Sequence, residues 1–162
     1  MNITFAPNGM IQIDDARIIF RNFRGEGSRY NREGDRNFSV VIDDEAICDD
    51  LMNDVNKYGV GWNVKIRPPR EEGDIPFMHL PVKVKFNDRG PAIRLTTGNR
   101  TVKLNEDTVD MLDEIDIASV SLDIRPYDNE VNNKPFRSAY LHSIHVIQEV
   151  DRFAHYDDDN NF

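Results

Sequence analysis

The sequence predicts a single, mainly β domain, and three observations support that fold class. Apolar and polar residues alternate with a period of two along several short segments, as they do along half-buried strands. Only two segments show the three- or four-residue spacing of an amphipathic helix. The 162 residues suffice for one hydrophobic core, with room for about eight strands and two short helices.

Eight segments carry the strand signal. They span residues 10–13, 16–23, 38–42, 63–68, 80–86, 92–97, 118–124 and 139–147. In the second segment, Ile18 and Phe20 are expected to face the core, as is Phe38 of the third, whereas Arg21 and Phe23 face the other way. Outward positions of the later strands are basic rather than acidic, at Lys65, Arg67, Lys83, Lys85 and Arg94. We therefore expect a basic sheet face, although such residues also serve simply to protect edge strands.

Two short helices are predicted between the strands. Asp43 or Asp44 can cap the first, in which Ile47 and Leu51 begin an apolar stripe. The second is expected over residues 106–115, with its acids on a solvated outer face. Both helices are short enough to interrupt a sheet without changing the fold class.

The order of these elements predicts an OB-fold-like Greek-key barrel. Strand, strand, strand, helix, strand, strand is the order of the OB-fold, which binds oligonucleotides across one face. The segments from residue 91 onward are expected to add strands and a β-hairpin to that barrel. Residues 1–150 would form this domain, and residues 151–162 a flexible, disordered acidic tail.

The net charge of −9 would disfavour nucleic acid as a partner if the charges were evenly spread, but they are segregated. Residues 60–104 carry nine Lys or Arg against four acids, whereas residues 105–123 carry seven acids and no base. Acids concentrate on the predicted helices and the tail, and bases on the predicted strands. This distribution favours a basic surface for an anionic partner on an acidic protein.

A glycine-containing, arginine-rich loop is predicted after the second strand segment. Residues 21–38 alternate arginines with aromatic residues, a combination that binds single-stranded nucleic acid without reading its sequence. The candidate residues are Arg21, Phe23, Arg24, Arg29, Tyr30, Arg32 and Arg36. Residues 68–78 form a second candidate loop, with Arg70 and Phe77. Phe23 and Tyr30 are the expected stacking aromatics. The alternative is that the arginines pair with neighbouring acids and Phe23 packs inside.

Nothing in the sequence indicates catalysis, a cofactor or a metal site. Cys48 is the only cysteine, which excludes a disulfide within the chain and a cysteine-based zinc site. Acids near residues 43–50 leave a Mg²⁺-dependent nuclease as a remote alternative, because such sites draw carboxylates from separated segments. No stretch approaches the roughly 18 apolar residues of a membrane span, so we expect a soluble, cytoplasmic protein that has no membrane partner.

The sequence closes with three carboxylates and two amides before an aromatic residue. This pattern resembles the acidic, Phe-terminated tails of bacterial and phage single-stranded DNA-binding proteins, in which the tail recruits partner proteins. The resemblance implies partner-binding roles for Asp157, Asp158, Asp159 and Phe162. The expected partners are replication or recombination proteins, such as a polymerase, a primase or helicase, or a recombinase. The same anions are expected to compete with DNA for a basic groove.

Three body segments, residues 21–43, 61–69 and 120–127, resemble a family of single-stranded DNA-binding proteins encoded by phages of Gram-positive hosts. The resemblance implies an OB-fold body, sequence-independent binding of single-stranded DNA, and a role in phage replication or recombination in the host cytoplasm. It leaves open whether the protein forms a homodimer. The main alternative is an acidic adaptor or DNA mimic that has no DNA-binding function.

Overall fold

The structure is a computed structural model, and it describes residues 1–150 of the chain. The predicted tail, residues 151–162, lies outside the described residues. Within residues 1–150 the helical elements are α1 (Glu45–Asn53) and one 3₁₀ helix (Val109–Asp113). The strands are β1 (Asn2–Phe5), β2 (Ile11–Asp14), β3 (Ile18–Asn22), β4 (Arg36–Ile42), β5 (Lys65–Arg67), β6 (Phe77–Val84), β7 (Ala92–Thr97), β8 (Arg100–Leu104), β9 (Ile117–Val131) and β10 (Lys134–Gln148).

All ten strands belong to one sheet, which confirms the mainly β class. Its main path runs β1-β2-β9-β10-β6-β4-β3, while β5 joins β6 and the β7–β8 pair joins β10. The sheet is open, because β1 and β3 stand at the two ends of this path. Two pairings are parallel, β10 with β6 and β10 with β7, and the others are antiparallel. The strand β10 therefore ties together three different neighbours.

Each predicted strand segment contains a strand, whereas β1 and β8 are strands without a prediction. β1 is a four-residue edge strand with mostly exposed side chains, so it carries no clear alternation. The predicted hairpin is confirmed, but β9 and β10 are longer than expected at 15 residues each. They continue to a two-residue turn at Asn132 and Asn133, both with positive φ, which asparagine tolerates in hairpin turns.

The core lies on one side of the sheet and is filled by alternate residues of the strands. On β6, Met78, Leu80, Val82 and Val84 are buried, while the residues between them face the opposite side. The same alternation buries Ile93 and Leu95 on β7 and leaves Arg94, which lies between them, exposed on the outer side. The basic residues of these strands are thereby left on the outer side of the sheet.

The first helix is confirmed. The Asp44 carboxylate accepts a hydrogen bond from the Ala46 backbone N–H and so caps the start of α1. Cys48 and Leu51 of this helix are buried in the core. Burial raises the pKa of the Cys48 thiol, which keeps it protonated and makes it a small core residue rather than a reactive group.

The second helix differs from its prediction in both type and role. Only Val109–Asp113 is helical, and its hydrogen bonding is of the 3₁₀ type. Val109 and Leu112 are buried as expected. Its acids, however, do not form a uniformly solvated face, because the Asp113 carboxylate accepts hydrogen bonds from the backbone N–H groups of Phe23 (2.7 Å) and Arg24 (3.0 Å). This helix therefore anchors the start of the arginine-rich loop.

A bulge in β3 reverses the predicted orientation of its aromatic residues. Ile19 pairs with Ser39, and Asn22 pairs with Asn37. Between these two pairs β3 has one more residue than β4. Phe20 lies within the bulge with φ of 52° and is 61% exposed. Phe23 is completely buried and stacks on Phe38, with 5.0 Å between ring centroids. The expectations of a core Phe20 and an outward Phe23 are both wrong, because one extra residue shifts the alternation.

Neither helix within residues 1–150 has the length and apolar character that crossing a bilayer requires. In the same part of the chain, no group of His, Cys, Asp or Glu side chains is arranged to hold a metal ion.

Candidate nucleic-acid interface

Alternate side chains of β6 form a row on the outer side of the sheet. Phe77, His79, Pro81 and Lys83 belong to the strand, and the exposed Lys85 follows it directly. At about 3.3 Å per residue this row, which we call the β6 row, extends for about 26 Å. β4 lies along one side of β6, and β5 and β10 lie along the other. The β6 row therefore runs through the middle of a wider surface rather than along an edge.

Three rings cluster at one end of the β6 row. The Phe20 ring centroid lies 5.4 Å from that of His79 and 6.4 Å from that of Phe77, in both cases edge-on. Phe77 and His79 are 5.3 Å apart. We call these three residues the aromatic cluster. Since the bulge in β3 leaves Phe20 mostly exposed, the cluster presents ring surface to solvent instead of completing the core.

Two cations from β5 flank the aromatic cluster. Lys65 pairs in register with His79, and Arg67 pairs with Phe77. The Arg67 guanidinium lies 5.8 Å from the Phe77 ring centroid, within the range of a cation–π interaction. Single-stranded nucleic acid needs this combination, because its bases stack on rings while its phosphates contact cations.

The environment of His79 keeps its imidazole neutral near neutral pH. Partial burial lowers the pKa of His79 below its ordinary value of 6.5, and the nearby charges of Lys65 and Arg67 lower it further. Its Nδ1 is 2.9 Å from the Ser39 hydroxyl oxygen, which orients the ring. His79 therefore acts as a third aromatic surface and not as a third cation.

A second group of rings and cations lies farther along the β6 row, where β10 joins β6. Tyr140 pairs in register with Lys83 on β6 and with Arg125 on β9. The Lys83 ammonium lies 5.9 Å and the Arg125 guanidinium 5.4 Å from the Tyr140 ring centroid. Tyr127 is a further neighbour, with its ring centroid 5.2 Å from that of Tyr140. Arg125, Tyr127 and Tyr140 were not predicted as site residues, since only the pairing of distant strands brings them together.

The arginine-rich loop overhangs the β6 row and encloses a groove of about 570 Å³. Tyr30, Asn37, Lys83 and Tyr140 are among the residues that line this groove. Tyr30 is 91% exposed, so its ring is available to a ligand, which a stacking residue requires. The Arg29 guanidinium lies 5.9 Å from the Tyr30 ring centroid.

Internal hydrogen bonds hold the arginine-rich loop in shape. The Gly34 backbone N–H donates to the Gly25 carbonyl at 2.8 Å, which closes the neck of the loop. At Gly25, φ is 67°, which favours glycine, and a Cβ atom there would lie only 3.0 Å from the Gly34 carbonyl carbon. The Asn31 side-chain amide donates to the carbonyls of Glu26, Arg32 and Asp35. The loop is therefore organised before any ligand arrives.

Three of the predicted arginines in this loop are occupied by structural contacts. Arg21 Nη1 donates to the carbonyls of Leu112 (2.8 Å) and Ile115 (2.7 Å). Arg24 forms ion pairs with Asp113 and Glu114. Arg36 forms an ion pair with Asp110 and donates a hydrogen bond to the Phe23 carbonyl. Together these three arginines hold the loop against the region of the 3₁₀ helix.

The remaining predicted residues lie in four different places. The β6 row and its flanks unite Lys65, Arg67, Phe77, Lys83 and Lys85, with Tyr30 above them. Arg29, Arg32 and Arg70 are exposed on loops and form no ion pair within residues 1–150. Arg94 lies on β7, which pairs with the part of β10 that follows Tyr140. Phe23 is unavailable to a ligand because it is fully buried.

Exposed rings alternating with cations on an open sheet are typical of proteins that bind single-stranded nucleic acid. The comparison with known protein families agrees with this class. The family model described as "Putative phage ssDNA-binding domain" matches residues 2–158, and the chain belongs to this family. The family resemblance seen in the sequence is thereby confirmed. Among curated proteins, none matches the chain.

Solved structures of the single-stranded DNA-binding protein from bacteriophage Enc34 are similar in fold. A C-terminally truncated form is 15% identical, with a TM-score of 0.57 over 93% of this chain and 91% of that chain. The form in complex with ssDNA is 16% identical, with a TM-score of 0.55 over 94% and 93% of the two chains. A third structure is 18% identical, with a TM-score of 0.53 over 96% and 94%. At these identities the likeness establishes the shared fold.

Proposed function

We propose that the protein binds single-stranded DNA without sequence preference along the β6 row, in support of phage DNA replication or recombination. One observation carries the proposal: exposed rings lie beside cations that have no carboxylate partner. Every ion pair within residues 1–150 involves Arg24, Arg36 or Arg137, so none involves the cations of β5 and β6. In a protein with 29 acidic residues against 20 basic ones, such cations are available to an anionic ligand.

In the proposed binding mode, bases stack on the aromatic cluster and on Tyr140, while phosphates contact the flanking cations. Stacking contributes about 1–3 kcal/mol per base and tolerates any base, because each base has a π-face. Lys65, Arg67 and Lys83 stand beside these rings and follow the backbone. The ssDNA complex of the Enc34 protein, which shares the fold, supports this choice of ligand.

The proposal gives residues 1–150 the DNA-binding role and residues 151–162 a regulatory one. Asp157, Asp158, Asp159 and Phe162 would compete with DNA for the cations of the β6 row and, once displaced, recruit replication or recombination proteins. Carboxylates imitate phosphates in such competition, and Phe162 imitates a stacked base. Removal of the tail is therefore expected to strengthen DNA binding.

Fluorescence anisotropy with a labelled dT oligonucleotide of about 30 nucleotides and a matched duplex tests the proposal. Intact protein should prefer the single strand, and protein cut after Tyr156 should bind it more tightly. The double variant Lys65→Ala/Lys83→Ala should lower the log-log salt slope by about 1.4, at about 0.7 per phosphate contact. The double variant Lys57→Ala/Lys103→Ala removes the same charge elsewhere and should leave the slope unchanged.

Two results would count against the proposal in different ways. If both double variants change the slope equally, DNA binds elsewhere on the surface and the β6 row is not the site. If intact and truncated protein both fail to bind either oligonucleotide, the adaptor alternative takes first place. Light scattering at the protein concentrations of the titration would show whether the binding form is a monomer or a homodimer.

A further inference from the structure

A cavity of about 390 Å³ opens at the Lys85 end of the β6 row, and its lining is strongly basic. Lys85, Arg89, Arg125 and His142 line it, together with Asn87. Within the described part of the chain, no Asp or Glu contributes to this lining. Lys85 also lines the groove beneath the arginine-rich loop, so the two depressions meet at that residue.

Three strands bring these basic groups together. Lys85 follows β6, and Arg125 lies on β9, where its guanidinium is already turned toward Tyr140. His142 is the extra residue of a bulge in β10, and its side chain is exposed although the preceding Leu141 is buried. The position of the cavity is therefore set by the sheet itself.

A tight turn supplies the fourth group. Asn87 N–H donates to the Gly90 carbonyl at 2.8 Å, and Gly90 N–H donates back to the Asn87 carbonyl at 3.1 Å. The Arg89 backbone N–H donates to Asn87 Oδ1 at 2.9 Å. All of these contacts use the backbone of the turn or the Asn87 side chain. They fix the Arg89 backbone and leave its guanidinium for another partner.

The cations of the cavity have no carboxylate partner among residues 1–150. Lys85, Arg89 and Arg125 take part in none of the ion pairs found there. Asp123, two positions before Arg125, instead accepts a hydrogen bond from the Ser143 hydroxyl at 3.0 Å. Three permanent cations without a counterion in one concave site favour a ligand that carries concentrated negative charge.

We propose that this cavity binds a phosphate group of single-stranded DNA and forms one end of the binding row. The inference rests on the proposed function and deepens it by assigning a phosphate site. Arginine matches phosphate oxygens through paired N–H donors, and lysine contributes a point charge. A terminal phosphate monoester carries about −1.5 to −2 charges and an internal phosphodiester one, and both offer the same oxygens.

Anisotropy with labelled dT oligonucleotides of about six nucleotides distinguishes these two sources. One oligonucleotide carries a 5′-phosphate, one a 3′-phosphate, and one hydroxyl groups at both ends. The test variant is Arg89→Ala, and its matched control is Arg100→Ala, which removes an exposed arginine from the first position of β8. Arg89→Ala should weaken binding roughly five- to tenfold and lower the salt slope by about 0.7, whereas the control should do neither.

If one terminal phosphate raises the affinity of intact protein but not that of Arg89→Ala, the cavity binds the phosphate at one end of the strand. Equal binding of all three oligonucleotides, weakened uniformly by Arg89→Ala, would assign it to an internal phosphate. If Arg89→Ala behaves like Arg100→Ala while Lys65→Ala/Lys83→Ala still weakens binding, the cavity inference is overturned and the proposed function stands. If intact protein binds no DNA, titration with inorganic phosphate still tests whether the cavity is a phosphate site. Amide shifts at Gly90 and His142 that Arg89→Ala abolishes would support the site, and their absence would overturn it.

Discussion

The arginine-rich loop and the β5–β6 surface are both basic, yet their cations have different partners. Arg21, Arg24 and Arg36 bind carbonyls and carboxylates around the 3₁₀ helix, so their guanidinium groups already have partners within the fold. Lys65 lies beside His79 and Lys83 beside Tyr140, and neither lysine forms an ion pair within residues 1–150. Under the proposed function, the density of arginine along the sequence is therefore a poorer guide to the binding surface than the lack of acidic partners among the described residues.

The largest expected effect is a difference in stability between alanine variants of two phenylalanines, Phe20 and Phe23. Phe23→Ala removes a fully buried ring that stacks on Phe38, and it should lower the free energy of unfolding by about 3–5 kcal/mol. Phe20→Ala removes an exposed ring and should leave that free energy nearly unchanged. Urea denaturation followed by tryptophan fluorescence measures both. Similar losses for the two variants would contradict the orientation that the β3 bulge imposes.

A smaller loss of stability is expected when an acidic residue of the 3₁₀ helix is replaced. Asp113→Ala leaves the backbone N–H groups of Phe23 and Arg24 without their acceptor, which should cost about 2–3 kcal/mol of unfolding free energy. Asp110→Ala, which removes a more exposed carboxylate from the same helix, should cost well under 1 kcal/mol. Urea denaturation of both variants tests this difference. DNA affinity of the refolded Asp113→Ala protein should match that of intact protein, because its partners serve the fold.

The outer surface should respond in the opposite way. Phe20→Ala should weaken binding of a dT oligonucleotide by about 1–3 kcal/mol, the contribution of one stacked base, with no loss of stability. Phe5→Ala, another exposed phenylalanine but on the distant edge strand β1, serves as the control. Anisotropy titration at fixed salt measures both variants. Equal affinity of the two would remove the aromatic cluster from the binding surface.

The smallest effect concerns the pH dependence of stability through His79. Its pKa is lowered in the folded protein, mainly by burial, so folding disfavours the protonated imidazole. The stability tied to neutral His79 is complete above about pH 6.5 and declines as pH falls from there through the lower, folded pKa. Urea denaturation at pH 7.5 and 5.5 should show a smaller loss for His79→Asn than for intact protein. A loss of equal size in both would exclude His79 as its source.

The sequence predicts most of the fold because alternation is a local property. Alternation with Val82 and Val84 predicts that Lys83 and Lys85 face outward, and the structure places them there. In β5 the rule decides less, because Lys65, Ile66 and Arg67 are all exposed. The same rule failed at Phe20, because a bulge adds one residue and no pattern of residue types marks its position.

The candidate site was less predictable than the fold, because the pairing register of distant strands decides which side chains lie together. Tyr140 lies in one predicted strand and Arg125 directly after another, and neither segment alone combines several rings with several cations. The parallel pairing of β10 with β6 brings Tyr140 beside Lys83. A signal was available in the outward alternation of Arg125 and Tyr127, but it becomes meaningful only once the neighbouring strand is known.

The position of β10 in the sheet also governs when the protein can fold. β10 pairs with β6, β7 and β9, so the middle of the sheet stays incomplete until residue 148 has been synthesised. Contacts between segments so distant in sequence form slowly, and a ribosome needs a few seconds to produce the residues that separate β6 from β10. During that interval the nascent chain exposes the unpaired edge of β6. The proposed binding surface is therefore complete only once β10, the last strand within residues 1–150, has docked.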